Sequence, residues 1–207
     1  MNIICFGDSI TESGSSPNGW CNLLQIHLDA AQPCVHRVIV SGFSGRHSGE
    51  LLDRMDQDVL PNLPGLCLIA TGINDAYHHF WQRIPRVSLT EYQRNVSEIV
   101  RVVRIHGGTP VLIGGHDLID RGLFKQGNDR PQSENFAPYQ AAFLTLATTL
   151  SLPLIDIAAA ARTEGLPPSS LLADDGVHLN AASHALYARA IGTALPNLLV
   201  STLSSPP

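Results

Sequence analysis

The stretch NIICFGDS, residues 2–9, carries four apolar residues in a row, Ile3 to Phe6, and then turns into Gly7, Asp8 and Ser9. A run this short has the length of a strand. Because it does not alternate with polar residues, it reads as a strand covered on both faces. Four more runs follow along the chain, Val35 to Val40, Leu66 to Ala70, Val111 to Ile113 and Leu152 to Ile155. Longer segments of helical character separate them: Trp20 to Leu28, an Asp-rich stretch from Leu51 to Leu60, Tyr139 to Leu150 and Ala181 to Leu195. The clearest lies after Val87, where Ser88 and Glu91 have the spacing of a capping box. There Tyr92, Val96, Ile99, Val100 and Val103 form one apolar face, and Gly107 supplies a stop.

Strand-length runs alternating with helical segments predict an α/β fold in three layers, αβα. The expected core is a flavodoxin-like parallel sheet of about five strands with helices on both faces. With 207 residues, of which 44% are hydrophobic, the chain has apolar material for one core without disulfides or a structural metal. Residues 1–200 are read as a single domain and residues 201–207 as a tail. Cys5, Cys21, Cys34 and Cys67 form no CxxC pair, so four free thiols are expected. The amino terminus shows no charged leader followed by an apolar run, which together with the thiols predicts a cytoplasmic protein. No apolar stretch reaches the roughly 20 residues of a membrane span. The net charge is -5 and the 13 Lys and Arg residues are dispersed, so neither nucleic acid nor an anionic membrane is an expected partner. Nothing in the sequence addresses oligomeric state.

In open parallel sheets ligands bind beyond the carboxyl ends of the strands. The residues that follow the apolar runs are Gly7-Asp8-Ser9, Ser41 to Gly45, Gly72 to Asp75, and Asp174 to His178. Ser9 sits where a hydroxyl would emerge at the sheet edge, although a serine there also commonly caps a helix. A nucleophile needs a base. His178 and Asp175 are close enough on one turn for the carboxylate to orient the imidazole while the other ring nitrogen faces a hydroxyl. Alternatively, Asp175 caps the helix that starts near Asn180 and His178 is a surface residue.

FGDSIT at 6–11, GFSG at 42–45, GIND at 72–75 and DGVHLN at 175–180 together resemble, in order and spacing, the sequence blocks of the SGNH, or GDSL, hydrolases. The resemblance implies Ser9 as nucleophile, His178 as general base and then acid, and Asp175, rather than the adjoining Asp174, as its orienter. It also implies an oxyanion hole made by the backbone amides of Ser9 and Gly45 and the side-chain amide of Asn74. Such donors stabilise the charge that develops on the carbonyl oxygen during acyl transfer. Gly45, lacking Cβ, would let the backbone approach closely, although Gly45 and Asn74 also suit turns. Asp8 is expected to brace its turn.

The sequence lacks G-x-S-x-G, Walker and G-x-G-x-x-G patterns. His78 and His79, with His47 and His116 nearby in other loops, match no metal-ligand spacing, so neither a metal nor a cofactor is expected. Specificity is assigned to the loops Tyr77 to Val87 and His116 to Phe136, with Tyr77, Phe80, Trp81 and His116 as candidate substrate contacts and Phe124 in the same loops. The expected activity is a serine esterase acting on small-molecule esters, short-chain or acetylated-sugar. The alternatives are an acyltransferase or thioesterase with the same triad, or a non-catalytic carbohydrate-binding domain.

Overall fold

A computed structural model describes residues 1–122 and 126–203, with side chains described through residue 199 apart from that gap. Five strands, β1 (Asn2–Gly7), β2 (Arg37–Gly42), β3 (Gly65–Ala70), β4 (Thr109–Gly114) and β5 (Leu154–Asp156), form one sheet in the order β2-β1-β3-β4-β5. Every neighbouring pair is parallel, as the uninterrupted apolar runs require. Successive side chains of a strand point to opposite faces, and the two cores divide accordingly. Ile3, Cys5, Leu66, Leu68, Val111 and Ile113 pack beneath α2 (Trp20–Ala31) and α8 (Ala181–Leu203). Ile4, Phe6, Cys67, Ile69 and Leu112 pack beneath α5 (Leu89–Ile105) and α6 (Gln132–Thr149). This is the expected three-layer arrangement.

The register places the site. Gly7 pairs with Gly42 on one side and Ala70 on the other, so β1, β2 and β3 end at the same level and their loops emerge together. The strand order also reverses here, because β2 lies on one side of β1 and β3 on the other. Such a reversal opens a crevice between the loops.

Several boundaries differ from the sequence reading. β2 starts at Arg37 because the preceding Cys34 turns with φ 60° and Val35 is 49% exposed. β5 is Leu154–Asp156, slightly later than expected. The Asp-rich stretch folds as two short helices, α3 (Ser48–Leu52) and α4 (Met55–Asp58), followed by a 3₁₀ turn. α6 begins at Gln132 rather than Tyr139, and α8 runs past Leu195. Each contains a proline, Pro138 and Pro196, which removes one helical donor without ending the helix. Of the expected tail, residues 201–203 continue α8, and 204–207 lie outside the described residues. In α5 the Glu91 amide donates to the Ser88 hydroxyl at 3.3 Å, and the five expected apolar residues are buried.

Candidate active site

β1 delivers Ser9 to the crevice as the first residue of the short helix α1 (Ser9–Glu12). Asp8 caps that helix, accepting the Ile10 amide at 3.0 Å, which is the bracing expected of it. Burial, with help from the charge of Asp75, pushes the Asp8 carboxyl up to about 7, against the opposing influence of the Ile10 amide and His178.

Across the crevice, the Nε2 of His178 lies 3.0 Å from the Ser9 Oγ, and its Nδ1 lies 2.5 Å from Asp175 Oδ2. An ionised carboxylate can only accept, so Nδ1 carries the proton and Nε2 is free to accept from the Ser9 hydroxyl. Asp175 Oδ1 accepts the amides of Val177 and His178, both at 2.9 Å. One carboxylate therefore shapes the turn and orients the ring. Burial raises the Asp175 pKa, but the His178 ring and the two amides outweigh it and hold the carboxyl below its ordinary value. Asp174 is exposed. The cap of α8 is Asn180, whose Oδ1 accepts the amides of Ala182 and Ser183. The alternative capping role for Asp175 therefore does not apply.

His116, expected among the substrate contacts, has a different setting. It is buried, and its Nε2 is 2.8 Å from the Val177 carbonyl, to which it must donate. Its Nδ1 then accepts the Tyr187 hydroxyl at 2.8 Å. Burial lowers its pKa to about 4, so the ring is neutral near pH 7. The same loop donates the Ile119 amide to the Gly176 carbonyl at 3.0 Å. Gly176 has φ 73°, and a Cβ there would come within 2.2 Å of the Ile119 carbonyl oxygen. The loop after β4 thus clamps the turn that carries His178.

The loop after β2 is held from two sides. The Ser44 amide donates to Glu12 Oε2 at 3.1 Å, and the Ser44 hydroxyl donates to the same oxygen. Arg86 donates to the Gly45 carbonyl at 2.6 Å and pairs with Glu50 at 3.3 Å. Gly45 has φ 76°, yet a Cβ would meet nothing within 4 Å. The positive φ by itself calls for glycine at this position. Asn74 donates to the Arg46 carbonyl at 3.1 Å and lies 3.5 Å from Asp8 Oδ2, so its amide spans the two loops. Asp75 is buried, accepts the Ser48 amide at 3.0 and 3.1 Å, and ties the β3 loop to α3. Burial raises its carboxyl pKa despite the Ser48 and Thr71 hydrogen bonds.

A cavity of about 220 Å³ brings together Ser9, Asn74, His178, Tyr77, Ile73 and Val177, with Gln126 and Gln132 completing its lining. Phe80 and Trp81, also expected as substrate contacts, are not part of that lining. They are 73% and 64% exposed, and Trp81 stacks on His79 at 4.6 Å instead. Phe124 lies outside the described residues. Sequence reasoning missed Glu12, Arg86, Gln126 and Gln132. Their partners are distant in the chain, and no local pattern marks them.

The histidines considered for a metal are engaged separately: His47 caps α3, His78 donates to the Ala76 carbonyl and His79 stacks on Trp81. Among the described residues no group of three or more His, Cys, Asp or Glu is arranged to hold a metal ion. Among the same residues no helix is long and apolar enough to cross a membrane. The four cysteines are unpaired; Cys5, Cys21 and Cys67 are buried and Cys34 is exposed.

Residues 5–186 match the model of the GDSL-like lipase/acylhydrolase family. An acetylxylan esterase of Geobacillus stearothermophilus is 26% identical over 206 residues, covering 91% of this chain and 90% of the relative. Among solved structures, an acetyl xylan esterase superposes with a TM-score of 0.78 at 22% identity, covering 94% of this chain and 100% of the other. A lipase/acylhydrolase from Enterococcus faecalis superposes with a TM-score of 0.76 at 22% identity, covering 95% and 96%.

Proposed function

The chain belongs to the GDSL-like lipase/acylhydrolase family and is a hydrolase of ester bonds; we propose that Ser9, His178 and Asp175 are its triad and that its substrates are short acyl esters of carbohydrates, acetyl esters above all. The observation that carries this reading is the continuous chain from Ser9 Oγ to His178 Nε2 and from His178 Nδ1 to Asp175, opening on the cavity. His178 takes the hydroxyl proton as Oγ attacks the ester carbonyl. The oxygen turns negative and is received by the amides of Ser9 and Gly45 and by the Asn74 side chain. Collapse expels the alcohol, which leaves with the proton from His178, and Ser9 carries the acyl group. Water then attacks with His178 again as base, releasing the carboxylic acid and restoring Ser9.

A cavity of about 220 Å³ suits a short acyl group, and the acetylxylan esterase relative points the same way. Rates on a series of p-nitrophenyl esters of increasing chain length and on acetylated xylooligosaccharides test the reading. Activity should be greatest on acetyl esters and be lost in His178→Ala. Equal or rising activity with long chains would contradict the substrate assignment. Product analysis with added alcohol separates hydrolysis from acyl transfer: a dominant transfer product would favour the acyltransferase alternative.

A further inference from the structure

Two side chains at the cavity each use half of their amide. Gln126 is 2% exposed; its Oε1 accepts the His78 amide at 2.6 Å, and among the described residues its Nε2 has no hydrogen-bond partner. Gln132 is 9% exposed; its Nε2 donates to the Ile73 carbonyl at 2.7 Å, and among the described residues its Oε1 has no partner. The orientation of each amide is decided by chemistry. A backbone N–H needs the oxygen of Gln126, and a backbone carbonyl needs the nitrogen of Gln132. The atoms left over are therefore a donor on Gln126 and an acceptor on Gln132.

Buried polar atoms are rarely left unpaired, because each has lost its water without replacement. Here the two residues that carry such atoms line the cavity that also holds Ser9, Asn74 and His178, while the two atoms themselves are buried behind its surface. Both glutamines are anchored to the segment that presents Asn74 and Tyr77, through Ile73 and His78. Each amide is held by one hydrogen bond, and engaging a ligand requires its free atom to turn towards the cavity. A purely hydrocarbon acyl pocket would gain nothing from either atom. A hydroxyl is a neutral group that can accept from one and donate to the other.

We propose that Gln126 Nε2 and Gln132 Oε1 form a hydroxyl-reading subsite that selects esters bearing a free hydroxyl beside the scissile acyl group, as in a partly acetylated sugar. The proposal rests on the esterase reading above and adds to it the feature of the substrate that is recognised. Losing such a partner leaves a buried polar atom unpaired in the complex, so discrimination of about tenfold or more is expected.

The test uses a methyl xyloside carrying one acetyl ester with the adjacent hydroxyl free, and its counterpart in which hydrogen replaces that hydroxyl. Wild-type protein should favour the first in kcat/KM by about tenfold or more. Gln126→Leu and Gln132→Leu should each bring the ratio towards one. A ratio near one in the wild type, or an unchanged ratio in both variants, would overturn the proposal; the latter would mean that ordered water already serves these atoms. If the leucine variants fail to fold, calorimetric titration of Ser9→Ala with the two xylosides decides, with tighter binding of the hydroxyl-bearing ester expected and equal affinity overturning the subsite. Equal hydrolysis of both esters refutes the subsite while leaving the esterase reading intact. Hydrolysis of neither refutes the carbohydrate-ester assignment on which the subsite rests, and the titration then reports on the glutamine pair alone.

Discussion

Asp8→Asn should change the pH dependence of stability with a definite sign. The Asp8 carboxyl is 2% exposed and is pushed to about 7 from 3.8, chiefly by burial. Between those two values the folded state binds a proton that the unfolded state has released. Stability therefore falls as pH rises through this interval, by about 1.4 kcal/mol per pH unit. Over pH 5 to 8 the contribution amounts to about 2.5 kcal/mol, most of it lost by pH 7, where the folded group ionises. Asparagine keeps an oxygen for the Ile10 amide and cannot ionise, so it removes the slope. Its second atom would be a donor facing Asn74, which lies 3.5 Å from Asp8 Oδ2 and adds an offset independent of pH. Asp175 titrates in the opposite sense: its lowered pKa contributes stability that is lost as pH falls through the folded value, below the acidic end of this window. The assay is urea unfolding at 25 °C at several pH values for wild type and variant. The stability of Asp8→Asn relative to wild type should climb by about 2.5 kcal/mol from pH 5 to 8. A flat difference across that range would refute the assignment of a buried, titrating carboxyl beside Ser9.

Asp175→Asn leaves the His178 ring without its proton acceptor and should lower kcat by about 10²–10⁴-fold on a short acetyl ester, measured by steady-state kinetics. Asn74→Ala keeps Ser9 and His178 and should lower kcat by about 10²–10³-fold with the circular dichroism spectrum unchanged. His116→Phe removes the donor to the Val177 carbonyl; kcat should fall about tenfold with KM nearly constant, and His116→Gln, which retains a donor, should recover part of the loss.

Much of the site is legible because its geometry is local. Asp175 and His178 share one turn, Asp8 caps the helix that Ser9 begins, and Ser88 reaches Glu91. The fold is legible for a related reason, since Ile3 to Phe6 and Leu66 to Ala70 have no polar face to expose and must be central strands. What escapes is what the sheet assembles from remote segments. Arg86 reaches Gly45 from 41 residues away, and His116 reaches Val177 from 61. The first contact depends on the register that ends β1, β2 and β3 at one level, and both depend on packing that side-chain type alone does not express. His116 follows a strand as a ligand-binding residue would, but Tyr187 and Val177 satisfy both ring nitrogens. Phe80 and Trp81 have the chemistry of a pocket wall but lie exposed outside it. The helices also run further than their apolar segments, with Pro138 and Pro196 inside them at the loss of one hydrogen bond each.

The most direct test of the central claim is the turnover of purified, folded Ser9→Ala on a short acetyl ester. If Ser9 is the nucleophile, the variant should lose nearly all activity and retain only the acceleration of about 10³–10⁴ over water that binding and the oxyanion donors supply. Turnover like that of the wild type would contradict serine catalysis at this site.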